Sequence, residues 1–169
     1  MADLVEIVAY RLTKQVHAGK LDGVGAARDS ARRWNAQGQF VTYTSSSRAL
    51  AVLEVRAGLP DGPPEDYVFS VIRVLVQRDR VRRIRAAELP DGWRDPGDVS
   101  HCQLRGASWY SDYPEEEVLE VPSVVVPRES NFVIRAGAAG AQVAVVEPFD
   151  FDPRLWGGPV TPEPASCTA

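Results

Sequence analysis

The chain has 169 residues, enough for one domain with a real core, and its 44% hydrophobic and 25% charged content is ordinary for a globular protein. No apolar run reaches the roughly 20 residues of a membrane helix, and the acidic start MADLVEIVAYRL lacks a signal peptide's basic region, so a cytoplasmic protein without membrane contact is expected. The net charge of −4 divides into +4 over residues 1–94 and −8 over residues 95–169, which argues against nonspecific nucleic-acid binding while leaving an Arg-rich half suited to a small anionic ligand.

Val5–Leu12 mixes β-branched and aromatic residues and predicts a first strand. Arg11 near its end can fork onto a phosphate or simply meet solvent. Lys14–Asp29 carries Gly19, Gly23 and Gly25 and reads as a loop or broken element. Its GVGA is no dinucleotide fingerprint, because the third glycine position is Arg28 and no strand leads directly into it. His17, alone in this loop, reads as a surface or packing residue.

Arg32-Arg33-Trp34-Asn35 leads to Gly38, a turn in which Trp34 is either a core anchor or an aromatic wall beside a ligand. Phe40–Thr44 is a strand, and Thr44-Ser45-Ser46-Ser47 supplies N-cap oxygens for a helix from about Arg48 to Ala57, stopped by Gly58 and Pro60. Glu54 is the only charge between Ala49 and Val55 and lies on an apolar face. A carboxylate there is costly unless it reaches water, pairs with a cation such as Arg11 or Arg33, or serves chemistry.

Leu59–Asp66 is a Pro/Gly loop, Tyr67–Val76 a long strand, and Gln77–Arg85 a basic turn and strand. Leu89–Gly97 is turn-rich, and Ser100–Tyr113 is a short helix or irregular segment. His101-Cys102 does not make a thiol enzyme, having no third orienting group, and Cys102 and Cys167 show neither metal spacing nor a disulfide framework. Val118–Val126 is β-rich but broken by Pro122, a kink that can aim Ser123 into a cleft. Asn131–Ile134 and Val143–Val146 are further strands, Phe149–Leu155 closes the fold, and the Pro/Gly-rich tail at 157–169 reads as disordered.

An ordered series of motifs runs through these elements: YRLTK at Tyr10–Lys14, LDGVGA at Leu21–Ala26, RWNAQG at Arg33–Gly38 and YTSSSRALAVLEV at Tyr43–Val55. It continues with LPDGW at Leu89–Trp93, GASW at Gly106–Trp109, VPSVVVPRESNF at Val121–Phe132 and PFDFDPRL at Pro148–Leu155. In order and spacing the series resembles the RES domain family, the toxin half of Xre–RES toxin–antitoxin operons. Arg33, Glu54 and Ser123 match the arginine, glutamate and serine for which the family is named, and Tyr43 matches its active-site tyrosine. Departures fall at Ala31-Arg32, where the family usually has two glycines, and at Arg135–Gly140.

The resemblance implies an α+β fold with an ADP-ribosyltransferase-like split β-sheet and flanking helices, spanning residues 1–156. It implies NAD+ as substrate with no prosthetic group and no metal, and cleavage of the nicotinamide–ribose bond by water or phosphate, ending in growth arrest. Transfer to a protein side chain is the alternative, and a non-catalytic nucleotide- or antitoxin-binding module a third. Arg33, Tyr43, Glu54 and Ser123 are then the expected catalytic residues, and Arg11, Arg33, Tyr43 and Ser45 the substrate-binding ones. The implied partner is an Xre-type antitoxin that carries the DNA contact itself.

Overall fold

The computed structural model describes residues 5–28, 32–59, 61–63 and 67–157; the expected tail falls outside them from residue 158 onward. Seven strands form one mixed sheet: β1 (Glu6–Lys14), β2 (Val41–Ser45), β3 (Phe69–Gln77), β4 (Val81–Arg83), β5 (Val118–Pro122), β6 (Ser130–Arg135) and β7 (Ala141–Phe149). Among the described residues three α-helices accompany them, α1 (Val24–Arg28), α2 (Arg48–Gly58) and α3 (Ser100–Asp112). The strand order is β4-β5-β6-β2-β1-β3-β7, with only β4 and β5 parallel.

The sheet is split. β1 pairs with β3 along all nine of its residues, and β2 with β6 along all five, yet β1 and β2 meet at the single pair Tyr10↔Ser45. Beyond that pair the two strands part, and Arg11–Lys14 and Val41–Thr44 become the walls of a cleft.

Register fixes which side chains look over the split, because residues paired across a ladder project to one face. Tyr10, Ser45, Asn131 and Val121 form one row across four strands, and Tyr43 and Val133 the next row on that face. Both long helices cover this face. α2 packs Ala51 against Leu12, Phe69 and Val71, while α3 brings Cys102 and Trp109 onto Val41, Leu119, Val121 and Val133. The opposite face holds Ala9, Ile72, Val74, Val76, Phe132 and Ile134.

Ser47 is the N-cap of α2, its Oγ accepting from the Leu50 N–H at 3.0 Å. Two glycines are dictated by close approach: at Gly106 a Cβ would lie 2.0 Å from the Trp34 carbonyl oxygen, and at Gly23, with φ +64°, 2.3 Å from the Val41 nitrogen.

The structure differs from expectation at several edges. The glycine-rich stretch after Lys14 contains α1, and Gln77–Arg85 supplies the last residue of β3, a 3-10 turn and the three residues of β4. The strand predicted to run to Val126 stops at Pro122, where the missing N–H ends the ladder and Ser123 leaves the sheet. Val143–Val146 is the middle of a nine-residue strand that takes in Phe149.

Candidate active site

The cleft over the split has a volume of about 560 Å3, within the range of small-molecule sites. Arg11, Arg33, Tyr43, Ser45 and Glu54 all line it; Ser123 does not. Ser123 is 2% exposed and stands behind Glu54.

Glu54 projects from the middle of α2. Its Oε1 accepts from Ser123 Oγ at 2.9 Å and from Asn131 Nδ2 at 2.5 Å. No hydrogen bond falls on Oε2 among the described residues, and no ion pair joins Glu54 to Arg11 or Arg33. The buried serine and the asparagine therefore offset the cost of a carboxylate on an apolar face, and no arginine does.

Ser123 Oγ accepts from the Val125 and Val126 N–H groups at 3.1 and 3.0 Å. Its own N–H donates to the Glu129 carbonyl at 2.9 Å, closing the loop after β5. Arg128 in this loop has φ 72°, and among the described residues no other non-glycine has a positive φ. The Glu129 carboxylate accepts from Ser46 and Ser47 at 3.3 and 2.9 Å, tying the loop to the start of α2.

Arg32 and Arg33 line the cleft from a turn whose Trp34 and Asn35 are buried behind them. Tyr43 Oη donates to Asn35 Oδ1 at 2.8 Å and accepts from the Trp34 N–H at 3.1 Å. Burial pushes the Tyr43 phenol well above its usual range, outweighing the opposing pull of the Trp34 hydrogen bond and of Arg32 and Arg33. The hydroxyl is thus a fixed strut, and the ring is what Tyr43 offers the cleft. Trp34 is 3% exposed, a core anchor, and no wall of the cleft.

Arg33 forks onto two loop carbonyls, Trp93 O at 2.6 Å and Asp95 O at 3.1 Å. Arg11 donates to Lys20 O at 2.8 Å, and burial pushes its guanidinium below the usual value; Asp22 raises it and Arg32 lowers it further. Each arginine keeps unused N–H groups. Arg32, exposed, adds a third arginine to a lining that also includes Lys14.

The Cys102 thiol is buried and pushed up by that burial, against the smaller pull of Arg33, as befits a packing residue. Arg135, where the family departure begins, is the last residue of β6 and donates to the carbonyls of Trp109, Tyr110 and Tyr113, satisfying the C-terminal end of α3. No group of three or more His, Cys, Asp or Glu suited to a metal occurs among the described residues, and no helix there is long and apolar enough to cross a membrane.

A sheet split at one strand pair, with a helix-borne glutamate over the split, defines an ADP-ribosyltransferase-like α+β fold. The chain belongs to the RES domain family, which matches residues 8–156. It is 32% identical over 146 residues to the Prs ADP-ribosylating toxin of Sphingobium sp. (strain YBL2), covering 82% of this chain and 88% of that one. It is 28% identical over 155 residues to Toxin Res of Yersinia enterocolitica, covering 88% and 99%. A chain of the crystal structure of the M. tuberculosis MbcT–MbcA toxin–antitoxin complex superposes with a TM-score of 0.69 at 19% identity, over 90% of this chain and 87% of that one.

The sequence placed Asn35 in a turn and gave Asn131 and Arg32 no part in the site. Asn131 stands in the quoted VPSVVVPRESNF stretch, but its place opposite Ser45 is a matter of strand register, which a single sequence does not display.

Proposed function

We propose that the protein is the toxin of a toxin–antitoxin pair and that it cleaves the nicotinamide–ribose bond of NAD+. The observation that carries this reading is Glu54: a carboxylate lining the cleft with Oε1 held by two donors and Oε2 without a hydrogen bond among the described residues, in a cleft that Arg11 and Arg33 also line.

In the reaction the C–N bond breaks and its electron pair returns to the nicotinamide nitrogen, cancelling the ring's positive charge. Positive charge then develops on the ribose, and a fixed carboxylate stabilises it more than it stabilises the ground state. Oε2 of Glu54 is the atom for that task and for a ribose hydroxyl. The spare N–H groups of Arg11 and Arg33 suit the pyrophosphate. The Tyr43 ring supplies a flat apolar wall for nicotinamide or the ribose face. Ser123 acts through Glu54. Water attacking the ribose gives ADP-ribose and a proton; phosphate gives ADP-ribose-1″-phosphate.

A second reading, ADP-ribosylation of a protein, is favoured by the name of the 32%-identical relative. An Xre-type antitoxin that covers the cleft and holds the DNA fits both readings, in line with this chain's acidic pI near 5.2.

The test incubates purified protein with NAD+, with and without phosphate, beside Glu54→Gln, and resolves products by mass. Free ADP-ribose or its phosphate from wild type alone supports degradation. NAD+ loss that requires an added protein, with ADP-ribose found on that protein, replaces it by the second reading.

A further inference from the structure

We infer that Asn131 is a positioning residue for Glu54 and that Ser45 acts only through Asn131, without touching substrate. The inference rests on the reading of Glu54 given above and extends it to two side chains on neighbouring strands.

A carboxylate only accepts hydrogen bonds, so the Asn131 atom 2.5 Å from Oε1 is the amide Nδ2. The amide oxygen must then point the other way, where Ser45 Oγ lies 2.8 Å from it and donates. Ser45 is the cross-strand partner of Asn131, on the face that looks at α2, and is 4% exposed. Its hydroxyl proton is thereby committed to the amide, and the amide cannot flip without setting its oxygen against the carboxylate. On the other side, Ser123 Oγ accepts two backbone N–H groups and must spend its single proton on the same Oε1. Each donor to Glu54 is thus fixed by a partner further out. The carboxylate is held from β6 and from the loop after β5, both through Oε1, and Oε2 keeps no hydrogen bond among the described residues. Donors that are themselves locked by further partners hold a reacting group near its productive geometry, and a misplacement of 1 Å can cost about 100-fold in rate.

The experiment measures NAD+ turnover and thermal melting for wild type, Asn131→Ala, Ser45→Ala and the double variant. Asn131→Ala is expected to lower kcat about 10- to 100-fold with KM within about threefold. Ser45→Ala is expected to lower kcat by less, and to add nothing in the Asn131→Ala background, since residues acting through one another are not additive. Asn131→Asp, equal in volume, carries the test if the alanine variant fails to fold; its introduced acceptor should cost at least as much kcat. A rise in KM with kcat kept, or a Ser45 effect that persists in the double variant, overturns the inference and makes these residues substrate contacts. Unaltered turnover in Asn131→Ala overturns it too, while the NAD+ reading stands. If wild type arrests growth on expression yet spares NAD+, the NAD+ reading fails by itself. Arrest relieved by Asn131→Ala then still supports the clamp, and arrest that persists in that variant overturns it. A wild type with neither effect overturns both.

Discussion

The two ends of the cleft are built on opposite terms. At the Glu54 end every donor is itself held by a second partner, from the Val125 and Val126 N–H groups through Ser123 and from Ser45 through Asn131. At the arginine end, Arg11 and Arg33 make one or two bonds to loop carbonyls and keep N–H groups to spare, while Arg32 is exposed. The difference matches what each end must do. A group that stabilises a charge existing only in the transition state gains from being fixed beforehand. Groups that receive a flexible diphosphate gain from reserve donors. Substitutions should therefore separate, lowering kcat at one end and raising KM at the other.

The largest effect is expected from Glu54→Gln, which keeps the volume and removes the charge. We expect kcat to fall by about 1,000-fold or more, with NAD+ affinity by calorimetry changed little. Affinity lost in step with turnover would erase the contrast between the ends.

Next in size is a change in the frame that holds the arginine wall. In Gly106→Ala the added Cβ would meet the Trp34 carbonyl, a backbone atom in the turn that carries Arg33. Overpacking of this kind costs about 1–3 kcal/mol, read as a lower midpoint in urea with an unchanged slope. An unshifted midpoint would mean that α3 and the turn are free to move apart.

Legibility followed the same divide. The strand and helix runs were readable because β-branched and apolar patterns are local: α2 was bounded by its serine cap and Gly58, and β3 by its YVFSVIRVLV run. Glu54 stood out because one charge on an apolar helix face is a local anomaly. The family motifs pointed to Arg33, Tyr43 and Ser123 as well. What escaped was pairing between distant residues. That Ser45 faces Asn131, 86 residues on, depends on the register of β2 against β6. That Glu54 is satisfied by Ser123 and Asn131, and not by Arg11 or Arg33, depends on which strands end beneath α2. Arg135 looked like a loop departure, yet it closes the end of α3 through three carbonyls, a role set by tertiary approach.

The smaller effects belong to the arginine end, and they differ from each other. Arg33→Ala removes spare donors from the cleft and also frees the carbonyls of Trp93 and Asp95. A charged hydrogen bond contributes about 1.5–3 kcal/mol, so KM for NAD+ should rise roughly 10-fold or more, with a smaller fall in kcat. Arg32→Ala takes away an exposed cation whose side chain has no hydrogen-bond partner among the described residues. Its contribution should be long-range attraction, about 1 kcal/mol or less, which amounts to under about fivefold in KM at low salt. Screening shortens that reach to roughly 8 Å at physiological ionic strength. The Arg32→Ala effect should therefore fade as salt is raised from low to moderate concentration, whereas most of the Arg33→Ala effect should survive, because Arg33 is half-buried. Steady-state KM at two salt concentrations checks this. An Arg32→Ala effect that resists salt would make Arg32 a direct phosphate contact, and the arginine end would then carry a third fixed ligand where the family pattern has glycine.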